Sequence, residues 1–164
     1  MITNRPQRLR GVDYCGFNRY FFTTCTAFRR SLFDHADTVE PVLQKLDELS
    51  RSHGFSVPAH CVMPDHLHAL LEGLSESSDF RHFVRVFKQV TAFEFRQRTG
   101  TALWQPGYHE RILRDDEATL AVVRYVWENP VRAGLVKQVG EYPYCGSDRY
   151  QLKDIVNAWD PRRT

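Results

Sequence analysis

Only four cysteines occur in the 164 residues, Cys15, Cys25, Cys61 and Cys145, and no two of them form a CxxC pair. A zinc ribbon or a thioredoxin-type redox site therefore has nothing to be built from, and reduced thiols are expected. No run approaches the roughly 18 consecutive apolar residues of a membrane span, and the basic stretch from Met1 to Arg10 has no apolar segment behind it. Neither a membrane partner nor export is expected, which points to the cytoplasm. The chain also lacks internal repeats, linkers and low-complexity tracts, so residues 1–164 read as one domain. A hydrophobic content of 42% with 26% charged residues suffices for a packed core and excludes a disordered tail.

A large charge excess is missing too, since the net charge is +2. The sum hides a segregation. Residues 1–30 carry six arginines against one acid and residues 81–114 seven basic residues against two acids, whereas residues 31–80 carry nine acids against two basic residues. Two basic blocks framing an acidic one can serve a nucleic-acid binder, because phosphate affinity follows local surface charge. Solvated faces of differing sign give the same count.

Aromatic and β-branched residues from Arg19 to Phe28 predict a first strand. Val39, Val42, Leu43, Leu46 and Leu49 recur at helical spacing, predicting a helix from Asp34 to Ser52 that stops at Gly54. Phe55 to Met63 and His66 to Leu71 predict a hairpin about Pro64-Asp65. Phe80, Phe83, Val84 and Phe87 lead a second helix reaching about Arg98. A loop with Trp104 follows, then a short strand from His109 to Leu113. The third helix is expected from Asp115 or Asp116 to Glu128, with acids in its first turn and Asn129-Pro130 closing it. A basic arm (about 1–15) and a weakly patterned tail (about 146–164) flank these elements. The order argues for an α+β sandwich, an antiparallel sheet with helices packed mainly on one face.

His66-Leu67-His68 follows the Pro-Asp turn at the start of a strand. Period-2 geometry stands both imidazoles on one face, where they can grip one divalent cation; two surface histidines have the same spelling. Tyr125 and Asn129 lie one helical turn apart on one face, readable as a reactive pair or as a core tyrosine and a helix cap.

Together these residues, with the strings around them, resemble a known family. Val62-Met63-Pro64-Asp65-His66-Leu67-His68, Trp104-Gln105-Pro106-Gly107-Tyr108-His109 and the stretch from Tyr125 through Asn129-Pro130 to Val136 are similar to the REP-associated tyrosine transposases, a branch of the HUH single-tyrosine nucleases. The resemblance spans roughly Arg19 to Tyr144. It implies a ferredoxin-like domain that cuts and rejoins single-stranded DNA at hairpin-forming repeats. It also implies that His66 and His68 are the metal-binding pair, Tyr125 the nucleophile and Asn129 the residue completing a Mg2+ or Mn2+ site. Asp65 stands where many relatives have Asn, adding negative charge beside the metal.

The chemistry suits those residue types. Phosphodiester cleavage needs charge stabilisation on a non-bridging oxygen and an in-line nucleophile, and attack by a tyrosine leaves a 5′-phosphotyrosine that stores the bond for rejoining. Tyr108, beside His109 and Glu110, is a rival nucleophile. Arg81, Arg85 and Lys88 recur along one stripe of the second helix and, with Arg5, Arg8 and Arg10 in the arm, are candidate DNA contacts. A hairpin binder that does not cut is the alternative, and monomer or homodimer stays open.

Overall fold

The structure, a computed structural model, describes residue 11 and residues 13–153. Five strands, β1 (Arg19–Cys25), β2 (Phe55–Met63), β3 (His66–Gly73), β4 (His109–Leu113) and β5 (Cys145–Gly146), form one sheet in the order β4-β1-β3-β2-β5. Every neighbouring pair is antiparallel. Three helices, α1 (Ala36–Ser52), α2 (Phe80–Thr99) and α3 (Asp116–Arg132), connect and cover it. This is the ferredoxin-like α+β sandwich, extended by β5 at one edge.

Alternation along the strands makes two cores. Tyr20, Phe22, Val57, Leu67 and Leu71 point to one face, where Val39, Val42 and Leu46 of α1 and Phe80, Phe83 and Phe87 of α2 bury them. Ala59, Cys61, Met63 and Leu70 point to the other, against Val122, Val123 and Val126 of α3. Two of the three helices thus share a face, and α3 alone covers the second. Among the described residues no helix is long and apolar enough to cross a membrane.

Three sequence expectations need correction. The first strand ends at Cys25, because its partner β3 begins opposite at His66. The chain then turns through a short 3-10 segment, Ala27–Arg29, with the Thr26 and Ala27 amides donating to Asp65 O (2.9 Å) and Leu103 O (2.8 Å). Phe28 and Arg29 hold left-handed φ of 58° and 55° there. Secondly, α3 runs through Asn129-Pro130 to Arg132. A proline removes one helical hydrogen bond, and the helix continues past it, closing where Leu135 N donates to Pro130 O (2.9 Å) and Gly134 adopts φ 72°. Asn129 is therefore a residue of the last helical turns rather than of a bend. Thirdly, a fifth strand, β5, forms at the boundary of the weakly patterned tail, where the sequence pattern predicts none. Val62 N donates to Tyr144 O (2.9 Å), Tyr142 Oη to Val62 O (2.9 Å) and Val57 N to Asp148 Oδ2 (2.6 Å). A two-residue strand is too short to show a period in sequence.

Candidate active site

The β1–β3 register sets Thr23 opposite His68 and Cys25 opposite His66. Strand alternation sends Leu67 into the core under α1 and α2, and both imidazoles to the face that α3 covers. Their Nε2 atoms stand 3.0 Å apart. The outer ring nitrogens are each held: His66 Nδ1 lies 2.6 Å from Asp65 Oδ1, and His68 Nδ1 lies 2.7 Å from Thr23 Oγ1. Arg29 Nε steadies the other Asp65 oxygen at 3.0 Å.

Burial, reinforced by the charges of His66, Arg132 and Arg29, pushes the His68 pKa down to about 3, so its ring is uncharged at neutral pH. When both rings are uncharged, the tautomers follow from the partners. The Asp65 carboxylate only accepts, so His66 Nδ1 carries the proton and His66 Nε2 offers a lone pair. His68 Nε2–H then donates to it, and Thr23 donates to His68 Nδ1.

The donor set fits a small divalent cation. Two ligands at about 2.1 Å and a right angle would be about 3.0 Å apart, the separation of the Nε2 atoms. Outer nitrogens held by a carboxylate and a hydroxyl are the usual support for ligating histidines. Among the described residues no three His, Cys, Asp or Glu side chains converge. Asn129, one turn of α3 beyond Tyr125, carries an amide whose Nδ2 is buried without a hydrogen-bond partner.

Tyr125 is 40% exposed and meets the pair edge-on, its ring 5.7 Å from that of His68 and 5.8 Å from that of Phe21. Phe21 in turn stacks on His68 at 5.4 Å. The Arg132 guanidinium lies 4.2 Å over the Tyr125 ring and donates to the Tyr125 carbonyl at 2.9 Å. Asn129 follows one turn later on α3. The rival, Tyr108, packs on the opposite core, 6.5 Å from Phe22 and 6.0 Å from Phe80. Its neighbours separate as well, since Glu110 turns to accept from Tyr14 Oη at 3.0 Å while His109 is exposed.

Among the basic candidates, Arg5, Arg8 and Arg10 lie outside the described residues. Arg81 and Arg85 are exposed along a groove of about 900 Å³ between α2 and the loop 104–108, with Arg81 over the Tyr14 ring at 5.6 Å and Arg85 Nη2 donating to His82 Nδ1 at 2.9 Å. Lys88 departs from the stripe: its ammonium donates to Gln105 O (2.9 Å) and to Gly107 O, and burial lowers its pKa to about 8. It braces the loop, as does buried Trp104, whose Nε1 donates to Thr91 Oγ1 at 2.8 Å.

Sequence reasoning missed Thr23 altogether and read Asp65 as a charge beside a metal, whereas its carboxylate holds the far nitrogen of His66. The alternation of β1 was visible; its register against β3 was not.

The chain is similar to known proteins along most of its length. The family described as transposase, IS200-like, matches residues 18–129. A REP-associated tyrosine transposase of Escherichia coli K12 is 28% identical over 126 residues, covering 76% of this chain and 73% of that protein. The solved structure of a REP-associated tyrosine transposase bound to a REP hairpin superposes with a TM-score of 0.71 at 26% identity, covering 85% of this chain and 82% of that one. A Deinococcus radiodurans chain described among the transposases shares the fold, with a TM-score of 0.51 and 24% identity over 75% of this chain and 96% of that one.

Proposed function

We propose that this chain, which belongs to the IS200-like transposase family, binds hairpin-forming repeat DNA in the cytoplasm and uses Tyr125 to cut and rejoin a single strand beside the hairpin. The observation that carries the reading is the meeting of Tyr125 with His68, ring to ring at 5.7 Å, where His68 Nε2 also stands 3.0 Å from His66 Nε2.

His66, His68 and the Asn129 amide oxygen would hold Mg2+ or Mn2+. When bound, the cation supplies positive charge to a non-bridging oxygen of the scissile phosphate. Tyr125 Oη attacks phosphorus in line, giving up its proton as the Tyr–phosphate bond forms, while the bond to the 3′-oxygen breaks and that oxygen leaves as a hydroxyl. The 5′-phosphotyrosine keeps the bond energy, so a 3′-hydroxyl can reverse the step without a nucleotide cofactor. Arg132 fixes the tyrosine ring, and Asp65 and Thr23 fix the two imidazoles. The candidate contacts for the hairpin phosphates are Arg81 and Arg85, exposed along the groove beside α2, together with Arg5, Arg8 and Arg10 of the basic stretch in the sequence. The relative solved with a REP hairpin supports that choice of DNA.

The test uses end-labelled single-stranded hairpins from the repeats flanking the gene, with Mn2+ or Mg2+, resolved on a denaturing gel. A covalent adduct that maps to Tyr125, and disappears in Tyr125→Phe or with chelator, is the expected result. Tight hairpin binding without an adduct in any metal would replace the nuclease by a binder that does not cut.

A further inference from the structure

Beside Tyr125, a cavity of about 490 Å³ opens between β4 and α3. The histidines stand on β3, and this cavity lies over β1 and β4, lined by Tyr125 and by Phe21 and Thr23, the two β1 residues that touch His68. Two features of the sequence create it. Ala118 and Ala121 present only methyl groups from α3, leaving space above Phe21 that larger side chains would fill. Register places Arg111 opposite Phe21 and His109 opposite Thr23, so both face α3, and both are exposed at the mouth. The carboxylate between them, Glu110, points to the other face of the sheet. The result is a floor of Phe21, Val122 and the alanine methyls with Thr23 at one end, Arg111 and His109 at the rim beside Glu110, and the candidate nucleophile Tyr125 in the lining.

We infer that this cavity is a nucleobase subsite. It takes the base of one unpaired nucleotide flanking the scissile phosphate, packed against Phe21, with that nucleotide's phosphate directed toward Arg111 and His109. The inference rests on the strand-cutting reading above and adds what that reading lacks. Two imidazoles and an amide can fix where a phosphate oxygen sits, but leave the phosphate free to rotate about it. A base seated beside Tyr125 gives the strand a second anchor and aligns the bond to be broken with the attacking oxygen. Misplacement by about 1 Å at such a step costs about 100-fold in rate. An aromatic floor suits a base lifted from its stack, because every base has a π-face, and a volume of this order is typical of small-ligand sites. The chemistry of the rim favours a nucleotide over an uncharged apolar guest.

The experiment separates seating from cutting. 2-Aminopurine is placed in turn at each unpaired position flanking the cleavage repeat, and binding is followed in chelator, so that no chemistry is required. One position is expected to change fluorescence at least twofold on binding wild type and to lose that change in Ala121→Phe, which fills the cavity from an exposed helix position. In Mn2+, an abasic nucleotide at that position is expected to slow adduct formation at least tenfold with wild type. Ala121→Phe slows it comparably, and the two losses do not multiply. Arg111→Gln is a second variant, expected to raise the DNA concentration for half-maximal rate without moving the hairpin's salt dependence by more than one phosphate. Equal fluorescence responses in wild type and Ala121→Phe, or an abasic strand cut at the normal rate, overturn the subsite. Absence of any adduct with wild type overturns the strand-cutting reading instead, and the fluorescence arm then decides base seating by itself.

Discussion

Replacing Thr23 with valine removes one oxygen and keeps the shape of the side chain, which isolates the hydroxyl that faces His68 Nδ1 at 2.7 Å. Without a cation, Thr23 donates and His68 accepts, since His68 Nε2–H is committed to His66. With a cation, His68 Nε2 must present its lone pair, so the proton moves to Nδ1 and Thr23 becomes the acceptor. A hydroxyl serves both states; a methyl serves neither. In the Thr23→Val protein the loaded form leaves an N–H unpartnered on a ring only 7% exposed. Such a donor costs about 1–3 kcal/mol, and support residues of this kind change metal affinity by about 10–100-fold. We expect Mn2+ affinity, measured by titration calorimetry on DNA-free protein at neutral pH, to fall at least tenfold in Thr23→Val and to return to within twofold in Thr23→Ser. Thermal unfolding confirms that the fold is kept. A Thr23→Val protein that binds Mn2+ as wild type does, while His68→Ala loses binding, would refute the tautomer argument.

Three further outcomes are expected. Phe28 holds φ 58° and is 89% exposed, so Phe28→Gly removes a left-handed penalty of about 1 kcal/mol with little buried area lost, and its urea midpoint should rise; an unchanged or lower midpoint contradicts this. A Cβ on Gly73 would stand 1.9 Å from the Gly16 carbonyl oxygen, so Gly73→Ala must pull the end of β3 away from the preceding loop, lowering stability by several kcal/mol in urea unfolding. Burial holds the His60 pKa at about 4 and that of His68 at about 3, below the ordinary 6.5. The unfolded chain therefore binds protons first as pH falls, and stability that is complete above pH 6.5 is lost progressively down to about pH 4, by up to about 3 kcal/mol for His60 alone. A urea midpoint constant between pH 7 and pH 4.5 would exclude this.

Much of the fold was legible because its elements carry clean periods. The bounds of β2 and β4 follow from their alternation, and α1 and α2 from apolar stripes ended by Gly54 and Gly100. Where local signals misled, the hydrogen bonds show the outcome. Pro130 predicts a helix end, yet α3 runs past it to Arg132, where Ala133 N donates to Asn129 O and Leu135 N to Pro130 O. The strand spelled by Thr26-Ala27-Phe28 gives way once Asp65 and Leu103 offer carbonyls to its amides. In the candidate site, His66, His68, Tyr125 and Asn129 could be picked out because their spacings are local. Thr23 and Arg111 could not, since what they face is decided by strand pairing across 45 and 90 residues, from Thr23 to His68 and from Arg111 to Phe21. Lys88 shows the converse, a charge at the right helical spacing whose carbonyl partners lie 17 and 19 residues downstream.

Cys145, Cys61, His68, Thr23 and His109 form one line across all five strands, each opposite the next. A single-residue slip of any strand would turn its member of the line to the other face. The hydrophobic cores tolerate some such errors, because apolar residues occur on both faces of β2 and β3. The line does not. It acts as a checksum on the sheet: a strand paired one residue out would part Thr23 from His68. Insertions within β1 or β3 are therefore far more damaging to the site than to folding, while the same insertions in the loops leave the line intact.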